Sequence, residues 1–411
     1  MSPQNSDTPN VDDRSDGRVS SQVTSVAIVG AGVMGRQIAE ACLQRGVRVV
    51  LQDSDPDILN RSVHDLQQLY PSTEVSGDTA QTGSADVVLE AIVENRRAKR
   101  KLLATMEPQL QPSALLATNT SSLPIDDIAS ALSHPERFCG LHFCHPVADR
   151  RLVEVVHGPK THPEYLARAV AFVRQLDKQP VVVRDSPGFV LNRLLRPYLM
   201  EALQLLREGI CPLQIEEAAT EFGMECGPLT KLDAFGIDVI VRCGAVLREF
   251  WPNDEIESEL LPDLYRSGSL GEKTGCGIFD YAQPAGPDNR RPLNPIVVDW
   301  LQRESSGTAV FAAGELRLRL FLPMLLEATR ILEDNIVRRP ADIDSVLRHG
   351  VNFKPTEGGL LAWADTIGAS QIAGDLACFH RFGKRYASTP LLRRLAAANG
   401  SFLQSRLPAV A

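Results

Sequence analysis

From Val23 the run Val23-Thr24-Ser25-Val26-Ala27-Ile28-Val29 leads directly into Gly30-Ala31-Gly32-Val33-Met34-Gly35. An amphipathic segment follows over 36–46, and then a second apolar run, Val47-Arg48-Val49-Val50-Leu51, which closes near Asp53. Alternation of this kind predicts strand, tight loop, helix and strand. The glycine spacing limits the geometry further. Gly30 permits the sharp turn, Gly32 leaves the backbone open to close approach, and Gly35 lets helix and strand touch.

Such a loop at a helix N-terminus presents backbone amides to a pyrophosphate, so Gly30, Gly32, Val33, Met34 and Gly35 are candidate dinucleotide-binding residues. A glycine-rich turn alone has a purely structural reading. Here Asp53 follows the loop by roughly 20 residues, where a carboxylate accepts from ribose hydroxyls and repels a 2′-phosphate. The expected cofactor is therefore NAD and not NADP.

Further apolar runs at 85–93, 114–121, 138–143, 152–156 and 180–185 alternate with helical stretches, which predicts a parallel sheet covered on both faces. After Asp185 the pattern becomes helical to the end. Arg196-Pro197-Tyr198-Leu199-Met200-Glu201-Ala202 is echoed by Leu322-Pro323-Met324-Leu325-Leu326-Glu327-Ala328. Gly227–Gly236 is echoed by Gly359–Gly368, and Pro212 with Ile215 by Pro340 with Ile343. The expected fold class is an α/β Rossmann-type dinucleotide-binding domain followed by two duplicated all-α domains. The divisions read as a disordered tail over 1–22, the dinucleotide domain over 23–185, helical repeats over 186–282 and 296–411, and a Pro- and Gly-rich linker over 283–295.

Composition removes several alternatives. A formal charge of −8 argues against a general nucleic-acid partner, and no apolar stretch is long enough to span a membrane. The eight cysteines form no CxxC pair, which fits a reducing compartment, and the polar, aspartate-bearing start matches no secretory or transit leader, so a cytoplasmic location is expected. Cys139, His142, Cys144 and His145 lie close in sequence, but strand alternation would divide them between two faces, and no metal site is expected.

Four segments carry the remaining chemistry: Glu90-Ala91-Ile92-Val93-Glu94-Asn95; Asn119-Thr120-Ser121-Ser122-Leu123; Gly140-Leu141-His142-Phe143 with Leu152-Val153-Glu154-Val155; and Asp185-Ser186-Pro187-Gly188-Phe189-Val190-Leu191-Asn192-Arg193. In this order and spacing they resemble the 3-hydroxyacyl-CoA dehydrogenase family. The duplicated tail, with Phe353-Lys354-Pro355 and Gly358-Gly359, resembles the dehydrogenase half of multifunctional fatty-acid β-oxidation enzymes, without the enoyl-CoA hydratase half.

Oxidising a secondary alcohol requires a base of near-neutral pKa at the departing hydroxyl proton, and His142 at a strand end suits that role. The resemblance implies that Glu154 orients the ring and stabilises the imidazolium. It also implies that Ser121 and Asn192 hydrogen-bond the substrate oxygens, and that Glu94, Lys99 and Asn119 lie in the cofactor site. Each residue has a plainer alternative: a core histidine, a helix cap at Ser121, a packing or capping role for Asn192, and a solvated helix face for the basic run Arg96–Lys101.

Two departures from the family bear on substrate. His145 stands before Pro146 where the family usually carries Asn. Between Asp53 and Glu90, moreover, the usual helical hairpin over the CoA is expected to shrink to one helix, about Pro56 to Leu69. The expected activity is oxidation of an (S)-3-hydroxyacyl-CoA by NAD in β-oxidation. The alternatives are a dehydrogenase of a free or carrier-bound 3-hydroxy acid and a catalytically silent NAD-binding protein. An acyl thioester is the expected partner, and the second helical repeat is expected to replace a partner subunit, giving a monomer.

Overall fold

The computed structural model describes residues 22–250, 258–286, 291–305, 307 and 310–405; the tail expected over 1–22 lies outside these apart from Gln22. Two units emerge. One holds the chain up to Thr120 together with Ile125–Asp185, and the other holds Ser121–Pro124 together with the chain from Ser186 onward.

In the first unit the order is β1 (Ser25–Val29), α1 (Val33–Leu43), β2 (Arg48–Gln52), α2 (Pro56–Leu69), β3 (Val75–Ser76), β4 (Val87–Glu90), α3 (Arg96–Met106), β5 (Leu115–Thr118), α4 (Ile125–Ala129), β6 (Phe138–Phe143), β7 (Leu152–His157), α5 (Pro163–Gln175) and β8 (Gln179–Arg184). The strands form one sheet in the order β3-β2-β1-β4-β5-β6-β7-β8. Every residue of β1, β4, β5 and β6 is buried, as expected of a sheet covered on both faces. Local chemistry sets the helix starts. Asp55 accepts from the amides of Asp57 and Ile58, with Pro56 opening α2, and Asn95 accepts from Ala98 at the start of α3.

The sheet departs from the all-parallel expectation at one junction: β6 and β7 are antiparallel, while the other neighbouring pairs are parallel. The connection over 144–151 is too short for a crossover helix, so the chain must reverse. β4 is also shorter than its apolar run. At Ile92 the amide bonds the Glu90 side chain instead of continuing the ladder.

The second unit contains α6 (Leu191–Arg207), α7 (Pro212–Thr220), α8 (Pro228–Phe235), α9 (Ile237–Phe250), α10 (Leu260–Ser267), α11 (Pro295–Glu304), α12 (Ala313–Glu333), α13 (Ala341–Val351), α14 (Leu360–Ile367), α15 (Ala369–Phe379) and α16 (Pro390–Ala398). Both repeats fall within this one unit. α6 and α12 carry the equivalent internal prolines, Pro197 and Pro323, and an aromatic cluster of Tyr198, Phe222, Phe321, Phe353 and Trp363 joins the repeats. Each repeat also uses a largely buried acid to hold a helix start. Glu216 accepts from Leu229 at 2.8 Å, and Asp344 from Leu361 at 2.8 Å. The preceding residues, Gly227 and Gly359, have no room for a Cβ against those carboxylates. Of the expected linker, 287–290 lie outside the described residues. Its end is anchored: buried Asn294 caps α11 through Ile296 and donates to Gly277 at 2.8 Å.

Candidate active site

The glycine loop follows β1 as its spacing demands. Gly30 has φ +114°, and a side chain there would meet the Ala91 carbonyl. A Cβ at Gly35 would strike the Gly30 carbonyl, whereas one at Gly32 would meet nothing within 4 Å. Two glycines are thus required by packing and the third faces open space. No side chain caps the start of α1, so its amides are oriented for an anion. Asp53, at the end of β2, accepts from the Ala31 amide at 2.7 Å and from the Asp55 amide at 2.9 Å, which ties the acid to the loop backbone. The residues present fit a dinucleotide. Val33 and Val93 expose their side chains, Val33 within this loop and Val93 beside Glu94 in the chain.

Beyond β4 lies a buried ionic network that the sequence did not reveal. The Lys99 ammonium donates to Glu90 at 2.7 Å and to the Ile92 carbonyl at 3.2 Å, and lies 3.4 Å from Glu94. An ammonium has three protons, and these three protein oxygens account for them. Lys99, expected in the cofactor site, is 1% exposed and reaches Glu94 from below the surface. The Thr120 hydroxyl donates to Glu94 at 2.6 Å and the Thr118 hydroxyl to Glu90 at 2.5 Å. Neighbouring Arg96 and Arg100 pair with Asp127 of α4, so the basic run includes an interhelical clamp. Asn119 accepts from the Phe143 amide at 2.9 Å, tying the end of β5 to that of β6.

His142 and Glu154 are directly opposed across the antiparallel β6–β7 pair. His142 Nδ1 and Glu154 Oε2 are 2.6 Å apart, with Glu154 fully buried. A single strand reversal thus converts a twelve-residue separation into contact. Near the start of the same strand, Cys139 is buried and its thiol is pushed up to about 12 by desolvation, so it stays protonated at neutral pH. His145 is exposed, and its Nδ1 lies 3.2 Å from Gln37 of α1. Gln37 also accepts from the Val147 amide at 2.9 Å, an anchor for the turn that has no local sequence signal.

In the second unit Asn192, on the first turn of α6, donates to the Ser121 carbonyl at 2.8 Å. The Gly188 amide donates to the Ser122 carbonyl at 3.1 Å. The short segment 121–124 is therefore held by the start of the helical unit. Of the expected residues, the structure joins His142 to Glu154, Ser121 to Asn192, and Glu94 to Lys99.

Among the described residues no helix is long and apolar enough to cross a membrane. The family profile "3-hydroxyacyl-CoA dehydrogenase, NAD binding domain" matches residues 25–186. The profile "3-hydroxyacyl-CoA dehydrogenase, C-terminal domain" matches 188–281 and 317–402. Among solved structures, 3-hydroxybutyryl-CoA dehydrogenase from Escherichia coli K12 aligns with a TM-score of 0.78 at 26% identity, covering 92% of this chain and 99% of that one. The (S)-3-hydroxybutyryl-CoA dehydrogenase of Ralstonia eutropha aligns at 31% identity and TM-score 0.59, over 64% of this chain and 100% of its own. The dehydrogenase part of multifunctional enzyme 1 from C. elegans shares the fold, with TM-score 0.65 at 24% identity, over 94% of this chain and 93% of that one. With an NAD-binding profile on the first unit and the C-terminal profile on both helical repeats, the chain belongs to the 3-hydroxyacyl-CoA dehydrogenase family and is an NAD-dependent dehydrogenase.

Proposed function

We propose that the chain oxidises the 3-hydroxyl of an (S)-3-hydroxyacyl-CoA to the 3-oxoacyl-CoA as a soluble cytoplasmic enzyme of fatty-acid β-oxidation. The observation that carries this reading is the 2.6 Å contact between His142 Nδ1 and Glu154. With Nδ1 committed to a carboxylate, Nε2 is the atom that receives the hydroxyl proton. The buried Glu154 then stabilises the imidazolium without itself taking the proton. Bound NAD supplies the acceptor for the hydride from C3. Ser121 and Asn192 orient the substrate oxygens, so that C3 loses its hydrogen while His142 takes the O–H proton and the carbonyl forms. Glu94, held by Lys99 and Thr120, borders the cofactor site together with Asn119. All eight cysteines are free thiols, which supports the cytoplasmic assignment.

Purified protein incubated with NAD and 3-hydroxyacyl-CoAs of several lengths is expected to produce NADH. Absence of NADH with every length overturns the reading. One observation favours a second: between Asp53 and Glu90 the chain has a single α-helix, α2, followed by a short strand and a 3-10 turn. A reduced arm removes contacts with the carrier, which fits a free or carrier-bound 3-hydroxy acid. A higher kcat/KM on the free acid than on its CoA thioester would select it.

A further inference from the structure

The helical unit holds a partly open cavity of about 200 Å³ between α6, the end of α8, α9 and α10. Leu195, Leu199, Phe235, Ile240, Leu247 and Leu261 form much of its apolar lining, with Arg196, Arg248 and Glu259 also on the wall. Asn192 lines it too, and the same side chain donates to the Ser121 carbonyl. The apolar space therefore begins at the residue assigned to the substrate oxygens. A second cavity of about 240 Å³ adjoins it, sharing Met200, Ser258 and Glu259. Its character is different, because Gln204, Arg207 and Glu304 line it. Met200, largely buried, stands between an apolar and a polar compartment.

We propose that the first cavity receives the hydrocarbon tail of the acyl group and that Met200 sets the length it accepts. The proposal rests on the 3-hydroxyacyl reading above and adds what limits its chain length. The tail can extend through this space until the lining turns polar beyond Met200. The favoured substrates are those whose tails end before the polar compartment. A longer tail would have to enter the polar compartment, where burial of apolar surface leaves Gln204, Arg207 and Glu304 without water.

Gly244 gives a direct handle. It lines the cavity on α9, and a Cβ there meets nothing within 4 Å. Gly244→Leu therefore fills the space while improving helix propensity, so the variant folds. Its ratio of kcat/KM for 3-hydroxydecanoyl-CoA over 3-hydroxybutanoyl-CoA is expected to fall by roughly tenfold or more. Met200→Ala is expected to raise the ratio for 3-hydroxytetradecanoyl-CoA over 3-hydroxydecanoyl-CoA. Cys243, in the same wall, reports occupancy without turnover. Decanoyl-CoA is expected to slow its alkylation by N-ethylmaleimide, read by site-resolved mass spectrometry, whereas CoA alone does not; exposed Cys211 and Cys378 serve as internal controls. Unchanged ratios in Gly244→Leu with Cys243 unprotected would overturn the cavity assignment. If no thioester is oxidised but Cys243 is protected, the dehydrogenase reading fails while the tail pocket stands.

Discussion

Arg193 and Arg319 occupy equivalent positions in the duplicated helices, each four residues before the internal proline, and each pairs with the acids of the other repeat. Arg193 donates to Glu327 at 2.7 Å and Asp334 at 3.2 Å. Arg319 donates to Glu201 at 2.7 Å and Glu208 at 3.0 Å. Glu201 is the counterpart of Glu327, and Glu208 of Asp334, so the contact is reciprocal in the manner of an isologous dimer interface. This supports an internal pseudo-dimer: one chain supplies both halves of a symmetric contact.

A monomer is therefore expected in solution, and light scattering should return a mass near 45.0 kDa. Arg319→Met tests the contact itself. Arg319 and Glu201 are both fully buried; removing the cation leaves Glu201 with Arg385 alone and takes both guanidinium contacts from Glu208, at an expected cost of about 3 kcal/mol in denaturant unfolding. Arg193→Met should cost less, because Asp334 is more than half exposed. Equal effects, or a dimer mass for the native chain, would contradict this account.

Glu154→Gln separates orientation of His142 from its mere presence. The amide keeps the shape but offers no charge to an imidazolium, and kcat is expected to fall about 10²- to 10⁴-fold with thermal stability largely retained. His142→Ala should fall at least as far. A His142→Ala enzyme with native kcat would remove the proposed base.

Asp53, proposed to face the cofactor ribose, also accepts from Ala31 of its own loop at 2.7 Å. Asp53→Asn keeps an oxygen for that amide and removes the charge that repels a 2′-phosphate. The NADP-to-NAD ratio of kcat/KM is expected to rise roughly tenfold or more. An unchanged ratio with normal folding would place cofactor discrimination elsewhere.

Where function was legible in the sequence, the cause was short-range geometry. The glycines at 30, 32 and 35 are fixed by one turn, and α2 begins where Asp55-Pro56 says a helix should. The His142–Glu154 spacing was visible, but not the antiparallel register that makes them touch, because alternating apolar runs look the same in either strand direction. The Lys99 network escaped for a different reason. Glu90 and Thr118 belong to neighbouring strands, and nothing local marks a strand glutamate as the partner of a helix lysine. The reciprocal arginines left a usable trace: both precede the prolines of the echoed segments.

The last prediction concerns Asp233, the acid on α8 that accepts from the amides of Ile278 at 2.6 Å and Phe279 at 2.9 Å. Burial lifts its carboxyl to about 6, against the opposing effect of those amides. The folded state therefore holds this proton more tightly than the unfolded chain, whose ordinary carboxyl titrates near ~3.9. Its stabilising contribution is complete below the unfolded value and is lost as pH rises through about 6. At ~1.36 kcal/mol per pH unit, the gap between the unfolded value and about 6 amounts in full to about 3 kcal/mol. Asp233→Asn removes the titration, so comparing native and variant unfolding free energies isolates it from other acids. Between about pH 4 and about pH 7.5 the native protein is expected to lose roughly 2–2.5 kcal/mol relative to the variant. A native-minus-variant difference that stays flat across this window would show that the buried amides, and not desolvation, govern this carboxylate.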